Sequence, residues 1–183
     1  LVIGGGPVGC ETAQYLVHEA AVSPDVFAFM LTQRSETNEA IGQLVDKSYR
    51  NVAILDTVKI GTGFEQGTAW PLMKDLDRYG VSKYPFGRIL SFGDNELTLE
   101  AKESKTREQK ARERQTGIVE PEKVITVTIP CDTIVSAIGS LPNTDLFNEL
   151  KTSEKEVFCI GDSIEAGNIA HAMETALDTA QKI

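Results

Sequence analysis

Apolar residues in this chain fall into two patterns, short unbroken runs and stripes that recur every three or four positions. The runs are Leu1-Val2-Ile3, Asn51–Asp56, Asp132–Gly139 and Glu156–Asp162. Such runs suit strands buried on both faces of a parallel sheet. The stripes are Ala13, Leu16, Val17 and Ala20, then Ala69, Leu72, Met73 and Leu76, and last Ile169, Ala172, Met173, Ala176, Leu177 and Ala180. Each puts its members on one helical face. Between the second and third stripes, Val81–Phe86, Arg88–Phe92, Glu96–Glu100 and Lys123–Ile129 read as strands, with a Gly93-Asp94-Asn95 turn in the middle. The expected fold class is α/β: a Rossmann-like three-layer domain with a central parallel sheet and a small antiparallel crossover.

Two stretches break the strand–helix rhythm. Residues 21–50 begin with a Ser23-Pro24-Asp25 helix start and carry a second helical pattern at Ile41, Leu44 and Val45. They read as a helical insertion that serves packing or an interface. Residues 101–116 hold six basic and three acidic side chains and no large apolar one. A nucleic-acid surface would interleave aromatic residues for base stacking; this stretch reads instead as a solvated, mobile excursion.

Composition narrows the functional classes. The chain has 183 residues, 41% of them hydrophobic, and a formal net charge of −9. That acidity argues against general nucleic-acid binding, which needs a basic face. No apolar run approaches the roughly 20 residues of a membrane span, and the opening residues lack the pattern of a signal peptide. Cys10, Cys131 and Cys159 are odd in number and far apart, so local spacing assembles no redox dithiol or metal site. They read as small buried hydrophobes in a protein of the reducing cytoplasm. A start inside the first buried strand further suggests a piece of something longer.

The candidate chemistry lies at the strand ends. Gly4, Gly6 and Gly9 occupy the G-x-G-x-x-G positions directly after Leu1–Ile3 and before the first helical stripe. Gly4 permits the tight turn, Gly6 lets backbone approach a pyrophosphate, and Gly9 lets the helix pack close to the strand. Pro7 and Val8 stand in the first helical turn, whose free amides and dipole receive phosphates. Asp56 ends the second strand, where an acid accepts hydrogen bonds from the adenosine ribose and repels a 2′-phosphate. It lies farther from the glycines than the usual twenty or so residues, by about the length of the 21–50 insertion; a plain turn cap is the other reading. Ile138 and Gly139 close one strand and Gly161 and Asp162 another, at the edge of an open α/β sheet where ligands bind. Asp162 reads either as an acceptor for a polyol or as a cap for the following turn. His18 and His171 read as surface helix residues, and no residue presents itself as a catalytic acid, base or nucleophile.

Together, the segments Val2–Glu11, Ala137-Ile138-Gly139-Ser140-Leu141-Pro142-Asn143 and Gly161-Asp162 with its alanine-rich helix resemble the nucleotide-binding portion of the two-dinucleotide flavoprotein reductases. More narrowly, Cys159–Glu165 through Ile169–Ala172 is similar to the C-terminal part of the NADH:flavin oxidoreductase group. The resemblance spans the chain except residues 21–50 and 101–116. It implies an NAD(H)-binding domain at residues 1–140, since Gly9-Cys10-Glu11 is typical of the NAD(P)H half. It implies that residues 141–183 are the returning segment of an FAD-binding domain, with Asp162 near the flavin ribityl or pyrophosphate region. FMN and an iron–sulfur cluster would belong to a missing N-terminal part, and Asp56, in place of a common glutamate, favours NAD(H) over NADP(H). The expected activity is positioning NADH for hydride transfer to flavin, as a module that is incompetent alone. A non-catalytic ADP- or NAD-binding module, or an interaction domain with an empty nucleotide site, stand as alternatives.

Overall fold

The computed structural model describes residues 1–64, 67–103, 112–113, 115–117 and 123–183. They form two compact units, Leu1–Ile138 and Gly139–Ile183.

In the first unit the apolar runs pair as parallel strands. β1 (Val2–Ile3) lies between β2 (Ala53–Leu55) and β7 (Val135–Ser136), and β3 (Ser82–Tyr84) flanks β2. Val2 stands opposite Ile54 and Val135, and Ile3 opposite Leu55 and Ser136. Alternation along these strands then sorts their side chains into two cores. Val2 and Ile54 pack on one face with Cys10, Ala13 and Val17 of α1 (Pro7–Glu19) and Leu76 of α4 (Ala69–Arg78). Leu55 turns to the other face, where Leu97, Leu99 and Ala101 meet it. Those three alternate along β5 (Glu96–Lys102), the middle strand of an antiparallel sheet with β4 (Arg88–Gly93) and β6 (Val124–Pro130). Helices, parallel sheet and antiparallel sheet thus make three layers, the α/β class that the patterning implies. β4 and β5 join through the two-residue turn Asp94-Asn95, with Asn95 in the left-handed region at φ 58°.

The 21–50 insertion is helical. α2 (Pro24–Gln33) is capped by Ser23, whose Oγ accepts from the Val26 amide, and α3 (Asn38–Leu44) by Thr37, which accepts from Ala40. Only Ile41 of the two helices is buried. Most of the 101–116 excursion lies outside the described residues.

Two strand expectations change. Asp132–Gly139 is a strand only at Val135–Ser136, and Ile134 and Ile138 are exposed. β7 is the edge of its sheet, so it has one neighbour and one ladder, not two. In the second unit, residues 157–160 belong to no strand and have no strand partner among the described residues. That unit consists of α5 (Asp145–Leu150), a 3₁₀ turn at Gly161–Ser163 and α6 (Ile169–Ala180), which Asn168 caps through the His171 amide. Helix α5 has no apolar stripe long enough to announce it.

Candidate nucleotide site

The site begins with the backbone of the turn after β1. Gly4 has φ +107°, and a Cβ there would lie 2.3 Å from the Ala137 carbonyl oxygen. At Gly9 a Cβ would lie 1.8 Å from the Gly4 carbonyl oxygen, so α1 crosses the turn at a distance only glycine permits. Gly6 differs. Its φ is −74° and its ψ −172°, ordinary extended values, and a Cβ would meet nothing nearer than the Thr62 carbonyl oxygen at 3.7 Å. Neither the fold nor the backbone conformation demands glycine at that position; a ligand lying against the backbone would.

Gly6 is also the N-cap of α1, and no side chain caps that helix, with Pro7 in its first turn. The start of α1 therefore has no side-chain cap, as is also true of α4 and α5, whereas α2, α3 and α6 are closed by Ser23, Thr37 and Asn168. Val8 and Glu11, the remaining candidates on this helix, are exposed.

Asp56 holds the turn in place. Its Oδ2 accepts from the Gly5 amide at 2.5 Å and its Oδ1 from the Val58 amide at 3.0 Å. The Gly61 amide donates to the Gly5 carbonyl at 2.7 Å. Gly5 itself is packed tightly, since a Cβ there would lie 2.9 Å from Ile60 Cγ1. Asp56 Oδ1 also accepts from Thr57 Oγ1 at 3.5 Å, so the further lone pair is on Oδ2, and the carboxylate lines a cleft of about 450 Å³. That cleft sits at the carboxyl ends of β1 and β2. Gly4, Gly6, Asp56 and Ile138 among the expected residues bound it, together with Thr57 and Arg88. Ile138, 74% exposed, presents an apolar face there.

The remaining candidates belong to the second unit. Gly139 has φ +100° with open space where a Cβ would stand. Gly161 has φ +60° and donates its amide to Thr175 Oγ1 at 2.9 Å. Asp162 is exposed and accepts from the Gly167 amide at 3.2 Å through Oδ1, which pins the loop leading to α6.

Sequence reasoning overlooked Thr57, Gly87 and Arg88. Gly87 carried a signal in retrospect, a glycine at a strand start where side chains are otherwise favoured. Neither histidine is among the residues that line the cleft. His18 Nε2 lies 2.7 Å from Asp75 Oδ2 and its ring rests 4.8 Å from that of Tyr79. Burial pushes the Cys10 thiol above its ordinary value, and its Sγ donates to the Gly5 carbonyl at 3.3 Å. All three cysteines are free, and among the described residues no group of three His, Cys, Asp or Glu side chains is placed to hold a metal ion. No helix of the described residues is long and apolar enough to cross a membrane.

No family model matches the sequence. A curated relative named "Metal reductase", from Desulforamulus reducens, is 24% identical over the whole chain, which spans 24% of its length. Among solved structures, a 2-naphthoyl-CoA reductase complex matches over the whole chain at 17% identity and a TM-score of 0.61. Histamine dehydrogenase from Rhizobium sp. 4-9 matches over the whole chain at 15% identity and a TM-score of 0.59. The 6-hydroxypseudooxynicotine amine oxidase of Pseudomonas geniculata N1 matches over 97% of the chain at 14% identity and a TM-score of 0.58. The chain spans 20% or 21% of each of these solved chains. The similarity establishes the fold, and every one of these names is that of an oxidoreductase.

Proposed function

We propose that this chain is the NADH-binding module of a flavin-dependent oxidoreductase, working as part of a larger enzyme. The observation that carries this is the cleft in which the glycine turn and Asp56 meet at the carboxyl ends of β1 and β2. A dinucleotide's diphosphate lies against Gly6, with the open amides and positive dipole end of α1 directed at it. Asp56 takes a hydrogen bond from the adenosine ribose on the Oδ2 lone pair that Gly5 leaves over, and its charge repels a 2′-phosphate. NAD(H) is therefore preferred over NADP(H). Ile138 gives the bound dinucleotide an apolar wall.

In the second unit Gly161 and Asp162 are assigned to FAD. They fit that cofactor: Asp162 is exposed, and Gly167 engages only one of its two oxygens, leaving the other to accept from a flavin polyol. When bound, the flavin supplies the hydride acceptor; the chain's own residues bind and orient. FMN and an iron–sulfur cluster, the final acceptor and the remaining domains belong to the rest of the enzyme. The oxidoreductase names of the relatives and the short span of their length support this assignment, and three free cysteines suit a reducing cytoplasm.

Calorimetric titration with NADH and NADPH tests the ribose role. NADH should bind about tenfold or more tightly than NADPH, and Asp56→Asn should narrow that gap. Equal affinities in the wild type would remove Asp56 from that role. ADP bound as tightly as NADH, with no flavin reduction in the complete enzyme, would favour a non-catalytic nucleotide module.

A further inference from the structure

One charged group that lines the cleft is given no role by the proposed NADH seat. Arg88 lines it beside Asp56 and Thr57, at the first position of β4. Backbone geometry fixes it there. The Gly87 amide donates to the Asp56 carbonyl at 2.8 Å. A Cβ on Gly87 would lie 2.5 Å from Leu55 Cδ1 and 2.9 Å from the Glu100 carbonyl oxygen, so the strand can start this close to β2 only with glycine. Across the antiparallel sheet, Arg88 is in register with Glu100, and its Nε donates to Glu100 Oε1 at 3.1 Å. That bond occupies one of the five donors of the guanidinium.

We propose that Arg88 is a latent ligand for a 2′-phosphate, held and neutralised by Glu100, and that Glu100 together with Asp56 sets the preference for the unphosphorylated dinucleotide. This rests on the cleft being an NADH site. Guanidinium is the side chain best matched to phosphate, through paired charge-assisted hydrogen bonds. At this position, however, a phosphate entering beside Asp56 meets two carboxylates and one cation, and its repulsion outweighs the attraction. A ribose hydroxyl carries no charge of its own and donates to Asp56, so it depends far less on that balance. Glu100 thus acts through Arg88 as a specificity-determining residue without touching the nucleotide.

Glu100→Gln isolates the effect, because it keeps an acceptor oxygen for Arg88 Nε and removes only the charge. Titrations of the full chain with NADH and NADPH should show NADPH affinity rising about tenfold in this variant, with NADH affinity changed less than about twofold. The gain should shrink with added salt and vanish when Arg88→Ala is added. Glu100→Ser, which releases the guanidinium altogether, should reproduce the gain. If NADH binds the wild type but neither Glu100 variant improves NADPH binding, or if Arg88→Ala leaves the gain intact, the latent phosphate site is refuted while the NADH site stands. A wild type that binds neither dinucleotide refutes both.

Discussion

The three glycines of the opening motif are equivalent in a pattern and unequal in the molecule. Gly9 is required by contact: an added methyl would sit 1.8 Å from the Gly4 carbonyl oxygen, and backbone cannot yield to it cheaply. Gly4 combines a positive φ with an approach of 2.3 Å to Ala137. Gly9→Ala should therefore cost about 3 kcal/mol of stability or more, a steric clash without room to relax. A thermal melt reads this directly, and an unchanged midpoint would mean that α1 does not cross the turn so closely. Much of this was legible in the sequence, because the motif's spacing encodes where a strand, a turn and a helix must touch. Gly5 was not legible. It falls at a free position of the motif, and its contact with Ile60 exists only because a distant loop folds over it. For the same reason Asp56 could be read as a ribose ligand or a turn cap but not as the clamp on Gly5, fifty-one residues away in sequence.

At the scale of elements, the helical stripes were the strongest signals, and α1, α4 and α6 form where Ala13, Leu72 and Met173 lie. The antiparallel strands were equally clear, since Leu97 and Leu99 alternate with Thr98 and Glu100. Strand length was not. An apolar run such as Asp132–Gly139 states that a segment can be buried; whether it has one neighbour or two depends on sheet order, which single-chain periodicity does not carry. The packing of α1 gives a measurable consequence. Cys10 is fully buried on its inner face, and its thiol is pushed above the ordinary 9.0 by that burial. An unfolded chain sheds the thiol proton before the folded one, so the native state binds more protons between the two values. Stability should then fall as pH rises past the ordinary thiol range. Denaturation midpoints on either side of that range should differ more in the wild type than in Cys10→Ala. An equal slope in both would show that Cys10 does not drive the change. Native alkylation should likewise spare Cys10 longer than Cys131 and Cys159, which are partly exposed.

On the scale of the whole molecule, the first unit has three layers, and the second has helices but no strand among its described residues. Ile169, Met173 and Leu177 of α6 are 81%, 67% and 59% exposed, along the very stripe that the sequence marks as a core face. On the proposed assignment the rest of a flavin-binding domain covers that stripe, in keeping with a chain that spans about a quarter of its curated relative. The fold was legible because three layers follow from alternation alone. The cleft was legible at Gly4, Gly6 and Asp56 and hidden at Arg88, which reaches it through a strand pairing. On the proposed reading, what joins fold to function is a diphosphate seat at Gly6, where an added Cβ would meet nothing nearer than the Thr62 carbonyl oxygen at 3.7 Å. Calorimetric titration of NADH into wild type and Gly6→Val, alongside melts of both, tests it directly. The expected result is one NADH site in the wild type, its loss in Gly6→Val, and melting stability preserved within about 1 kcal/mol. NADH binding undiminished by the valine would contradict the claim and place the phosphates elsewhere.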